Sequence, residues 1–123
     1  MGVYYEALVT ASAGVGQSGA QAWVPLNIHQ NPFGVSFFIN RVVGGGDSTC
    51  RVEHTHVNVL APTSGPTEVS VKPFEIFRHE DASAVAVSSD GNYAFPVRAI
   101  RLWVTPGSGA TTYRFNVIQG DGA

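Results

Sequence analysis

The 123-residue sequence predicts an all-β chain, a single-domain antiparallel β-sandwich of about eight strands. Three observations carry this. Short β-branched and aromatic runs recur every eight to fifteen residues between Gly, Pro, Asn and Asp clusters. No stretch repeats its apolar residues at the helical period. Fourteen glycines, seven prolines and 44% hydrophobic residues fit a turn-rich chain with one core.

The elements follow in order. Tyr4 to Thr10 is a first strand, and Ser12 to Ala20 is a small, polar, Gly-rich run that reads as a surface loop or an arm ordered by a neighbour. Residues 1–22 thus form an N-terminal strand and arm, and 23–123 the sandwich proper. Gln21 to Ile28 is a short second strand that Pro25 assigns to an edge or bulge. Asn31 to Gly34 is a turn. Val35 to Val43 follows as a long strand with Val35, Phe37, Ile39, Arg41 and Val43 on its core face. Gly44 to Asp47 is a turn from which Ser48 to Leu60 is expected to pair back as a local hairpin.

Residues 61–67 form a loop, and Glu68 to Val71 and Phe74 to Phe77 are short extended pieces separated by Pro73. Arg78 to Asp81 is a charged connection. Ala82 to Ser88 is expected as a strand and Ser89 to Asn92 as a turn. In Phe95 to Gln119, Ile100, Leu102 and Val104 form one row with Arg101 and Trp103 on the other face. Beyond the Pro106 to Gly109 break, Tyr113, Phe115 and Val117 form a second row. A hairpin with a four-residue loop would put both rows on one face, and a one-residue slip would separate them. In a third arrangement the segments lie in opposing sheets and their rows meet across the core.

Composition excludes several function classes. Charged residues are 13% of the chain against a usual ~25%, which suggests that part of the surface is an assembly contact. The net charge is −2 and the seven Lys and Arg are dispersed, so no nucleic-acid footprint is present. No apolar run approaches ~18 residues, and Met1 to Tyr4 shows no signal-like start; the expectation is synthesis in the cytoplasm and no membrane partner. The single Cys50 reads as a small buried strand residue without an activating partner.

His54-Thr55-His56 is the strongest candidate for chemistry. On a strand, i and i+2 side chains share a face roughly 6.6 Å apart along the backbone, within reach of one metal ion. This is the His-x-His device of the cupins, but the glycine before it, the acid after it and a second histidine motif are missing. No metal or other cofactor is therefore expected. No nucleophile elbow or phosphate loop occurs, and adjacent Glu80 and Asp81 cannot share a substrate from one strand face. The chain reads as a non-enzyme. Trp23, Trp103 and Tyr93 could offer a stacking platform for sugars, without the Asp and Asn spacing that would accompany one.

Trp23-x-Pro25-Leu26, Gln30-Asn31-Pro32-Phe33-x-Val35, Val52-Glu53-His54-Thr55, Phe95 to Leu102 and Val117-Ile118-Gln119-Gly120 resemble small virion proteins of tailed bacteriophages. These are jelly-roll sandwiches that decorate or cement the capsid. The resemblance spans Trp23 to Gly120 and implies a jelly roll, so the third arrangement is favoured. It further implies an outer-surface protein that binds the major capsid protein and clamps neighbouring subunits as a homo-oligomer, trimer ahead of dimer. Trp23, Phe33, Arg98, Arg101 and Trp103 are the interface candidates. The alternatives are another virion jelly roll, such as a tail or fibre adaptor, or a cupin-like metal-binding or carbohydrate-binding module.

Overall fold

A computed structural model of the chain describes residues 3–11, 23–29, 32–44, 47–59, 72–105, 107 and 109–120. Eight strands are present: β1 Val3–Ala11, β2 Val24–Pro25, β3 Val35–Val43, β4 Thr49–Thr55, β5 Ile76–Arg78, β6 Ser88–Tyr93, β7 Ala99–Thr105 and β8 Thr111–Gln119. Among the described residues the one helical piece is the short 3₁₀ turn Pro73–Glu75. Two four-stranded sheets form, ordered β1-β8-β3-β6 and β2-β7-β4-β5, with every pair antiparallel.

β1 pairs β8, β2 pairs β7, β3 pairs β6 and β4 pairs β5. The strands therefore match as the two arms of one long folded ribbon. Rolling that ribbon brings β8 beside β3 and β7 beside β4. This is the jelly-roll winding. β7 and β8 lie in opposing sheets, as the third arrangement requires. Ile100, Leu102 and Val104 of one sheet and Tyr113, Phe115 and Val117 of the other are all buried in one core cluster. Full burial of such an aliphatic side chain contributes about 1.5–3 kcal/mol.

Tyr113 and Gln119 place polar groups inside the sandwich that are partnered. The Tyr113 hydroxyl donates to the Ser48 carbonyl at 3.1 Å. Gln119, at the end of β8, clamps the loop after β2 at two points. Its Oε1 accepts from the Asn27 amide at 2.8 Å, and its Nε2 donates to the Asn27 carbonyl at 2.9 Å. The clamp ties one sheet to the other.

Several expectations are corrected. β4 does not pair back on β3: both flanks of β3 are taken by β8 and β6, and β4 crosses to the second sheet. The crossing begins at a register shift between Arg41 and Val43, followed by Gly44 at φ +87°, where a side chain would also strike the Ala110 carbonyl. Val43 is consequently 62% exposed, outside the core row of Val35, Phe37 and Ile39.

The Ser89 to Asn92 "turn" lies within β6, and Ala82 to Ser88 is not a continuous strand. Before β6 begins it meets β4 through the bridge Cys50↔Val85 and a bond from the Val52 amide to the Ala82 carbonyl, and β3 through one from the Arg41 amide to the Val87 carbonyl. Pairing with β3 overrides the local turn preference. Gly91 is required because Phe37 lies over it: an added Cβ would stand 2.7 Å from that ring. Phe74 sits in the 3₁₀ turn, so the extended piece there is Ile76–Arg78. The Gly-rich run at 12–20 and the segment Glu68 to Val71 lie outside the described residues. β2 occupies a sheet edge, where Pro25 places it.

Candidate docking face

β4 and β7 build the candidate site by strand alternation. Cys50 and Val52 of β4 point inward with Ile100, Leu102 and Val104 of β7. The intervening Arg51, Glu53, Arg101 and Trp103 therefore project from the outer face of the second sheet. Register pairs Glu53 with Arg101 on one side and Arg78 on the other, and Arg51 with Trp103. The pair Val24↔Ile100 brings Trp23, one residue earlier, level with Arg101.

Glu53 is 3% exposed although it faces outward. Arg51 Nε donates to its Oε2 at 2.7 Å and Arg101 Nε to its Oε1 at 2.9 Å, so each carboxylate oxygen has its own arginine. The guanidinium of Arg101 lies 4.3 Å from the Trp23 ring centre and 5.2 Å from that of Trp103, and Arg51 stacks 5.0 Å from Trp103. Charge-assisted bonds and cation–π contacts together hold four long side chains in one arrangement. The arrangement borders a shallow groove of about 390 Å³ lined by Arg51, Glu53, Ile76, Arg78, Arg101 and Trp103.

Of the five interface candidates, Trp23, Arg101 and Trp103 are brought together. Phe33 is not with them; it packs against the core and lines a separate cavity of about 400 Å³ beside Val35, Tyr93 and Ile118. Arg98 acts through its backbone, donating to the Thr55 carbonyl at 3.0 Å and accepting from the Leu26 amide at 2.9 Å. Arg51 and Glu53 escaped the sequence reading as interface residues. Their signal was the Cys50-Arg51-Val52-Glu53-His54 alternation, which puts a basic and an acidic residue on the face opposite the core row.

His54 and His56 stand elsewhere, at one end of the sandwich, with ring centres 5.8 Å apart. His54 is buried, with Nδ1 2.8 Å from the Tyr93 hydroxyl and its ring stacked on Phe77. Burial lowers its pKa to about 4, helped by the neighbouring His56 and His79 charges. Burial likewise raises Tyr93, with Glu53 adding to the effect. His79 accepts from the Asp81 amide at Nδ1 and bonds the Asn92 carbonyl through Nε2, so both ring nitrogens are occupied. Among the described residues no group of three or more His, Cys, Asp or Glu side chains is placed to hold a metal. Cys50 is buried and its thiol is pushed up to about 12 by loss of hydration. No helix among the described residues is long and apolar enough to cross a membrane.

No family model and no curated protein matches the chain. A solved structure described as Bacillus endospore appendages, which form a family of disulfide-linked pili, is similar over 97% of this chain and 88% of that one. The identity is 12% and the TM-score 0.39, a likeness too slight to carry any argument.

Proposed function

We propose that this chain is a structural protein of a tailed-bacteriophage virion. It is a capsid decoration or cement protein that binds the major capsid protein on the outer surface and stabilises the shell. The observation that carries this reading is the outer face of the second sheet. There Trp23, Arg51, Arg101 and Trp103 are held ready around a buried carboxylate on a rigid strand scaffold. Tryptophan and arginine are the residues most often dominant in protein interfaces, and preorganising them reduces the entropy lost on docking. The groove beside them, lined by Ile76 and Arg78 as well, extends the same face. The resemblance of the Trp23 to Gly120 motifs to phage decoration proteins supplies the partner. Many copies, each bound modestly, would oppose shell expansion through their number.

Co-sedimentation with assembled capsids lacking this protein tests the proposal. Wild type should pellet with the shells. Trp103→Ala and Arg101→Ala should each weaken binding by roughly 30-fold or more, equivalent to about 2 kcal/mol. Absence of the wild type from the capsid pellet at saturating concentration, with binding to tails or fibres instead, would replace capsid decoration by the adaptor role.

A further inference from the structure

Each sheet has two edges, and three of the four are blunted. β2 is two residues long and carries Pro25, and β5 is three residues long. At β6 the His79 ring meets the Asn92 carbonyl at 2.9 Å. β1 differs. It runs for nine residues, VYYEALVTA, with no proline or lysine and one charge, in unbroken register with β8. Among the described residues nothing pairs with its other side. Such an edge is a template for another strand. Its side chains point the same way: on the outer face Tyr4 is 66% and Leu8 62% exposed, and on the inner face Tyr5 and Ala7 are only half-buried.

We infer that β1 pairs antiparallel with β1 of a second copy about a two-fold axis through Ala7, joining two four-stranded sheets into one of eight. A second copy is the occupant because it brings the same open edge, so one feature satisfies both partners. Keeping core faces aligned requires residues of equal parity to meet, which places the axis on a residue. Centred on Ala7, all nine residues pair, Val3 through Ala11. Tyr5 then meets Val9 of the copy on the inner face, where the half-covered ring gains a neighbour. On the outer face Leu8 meets Glu6, whose charge is already countered within its own sheet by Arg114 at 3.5 Å. An axis on Glu6 would set two carboxylates opposite one another. One on Leu8 would leave Val3 and Tyr4 unpaired.

Nine residues make roughly 30 Å of edge. With side chains on both faces the contact is about 600 Å² per partner, below the ~800 Å² of a standard interface. The dimer should therefore dissociate in the micromolar range. The pairing lies on the sheet opposite the Trp23–Arg101 face and does not rest on capsid docking.

Sedimentation velocity of the full chain from about 1 to 200 μM tests this. The expected result is a reversible change from 13.0 kDa to twice that mass. Tyr4→Lys/Leu8→Lys, two exposed positions, should stay monomeric at all concentrations while keeping the urea midpoint that wild type shows at about 1 μM, where it is largely dissociated. Ala7→Cys should form a disulfide-linked dimer under mild oxidation, whereas wild type, with Cys50 buried, should not. Should the lysine variant fail to fold, the Ala7→Cys cross-link decides alone. A wild-type monomer at 200 μM, a trimer, a dimer surviving the lysine pair, or no cross-link at Ala7 would each overturn the inference.

Discussion

Acid should destabilise this fold through His54 before it protonates most carboxylates. The folded-state pKa is about 4 against an ordinary 6.5, and burial is the main cause. Above pH 6.5 the ring is neutral in both states and makes no difference. Between 6.5 and 4 the unfolded chain takes up a proton that the folded chain refuses, so stability falls as pH falls. Below 4 both states are charged and the loss is complete. A shift of about 2.5 units corresponds to at most about 3.4 kcal/mol at 1.36 kcal/mol per unit. Because the ring borders an open groove and keeps part of its hydration, about 2–3 kcal/mol is the expected loss. With a urea m-value of roughly 1–3 kcal/mol/M, the midpoint should drop by about 1–3 M between pH 7 and 4. His54→Asn, which can still hydrogen-bond the Tyr93 hydroxyl but does not titrate, should show a much flatter profile over this interval. Two parallel profiles, or an NMR titration placing the His54 midpoint near 6.5, would refute the reasoning.

Three other perturbations bear on separate parts of the molecule. Glu53→Ala leaves two arginines stacked on tryptophans without their shared acceptor. It should cost about 1–3 kcal/mol in urea unfolding and raise the fluorescence anisotropy decay rate of the Trp23 and Trp103 side chains. Gln119→Leu removes both hydrogen bonds to Asn27 and leaves a part-buried main-chain pair to water; a loss of about 1–3 kcal/mol by thermal or urea unfolding is expected. Gly91→Val must displace the Phe37 ring, and a loss of about 1–3 kcal/mol, with shifted aromatic NMR signals of Phe37 and His79, is the expected outcome.

The parts of the fold that were legible are those where one strand's own alternation decides. In β8 the Tyr113, Phe115, Val117 row is written in the sequence because each alternate residue is polar. In β7 the same logic put Arg101 and Trp103 outside. The partner of each strand was not legible where pairing is distant. Nothing in Ser48 to Leu60 says that its neighbours come from residues 99–105 and 76–78 rather than from the preceding strand. β6 is the sharpest failure, since Ser89-Asp90-Gly91-Asn92 has the chemistry of a turn. It is extended because it pairs with β3, fifty-odd residues earlier, and its glycine fits there because it lies opposite Phe37, beneath whose ring a side chain would be crowded. His54 was legible as one of a same-face pair. Its burial was not, because Phe77 reaches it from β5, and Tyr93 and Phe95 from the end of β6.

The buried carboxylate on the outer sheet face needs a reason other than folding. Glu53 points away from the core, so the inter-sheet packing does not itself call for a carboxylate there. Removing an ion pair from water costs several kcal/mol per charge before attraction offsets it, and apolar replacements are often as stable. What the carboxylate does accomplish is positional. It fixes Arg51 and Arg101 through their Nε atoms, and these in turn align with Trp23 and Trp103. A guanidinium has five N–H donors and the Glu53 contact engages Nε, so the rest of the plane is directed by a group that a docking partner does not have to supply. A rigid, cationic and aromatic face is the result, of the kind that gains most from rigidity when something binds it. That is the physical basis for the proposal that the docking contact lies on β4 and β7.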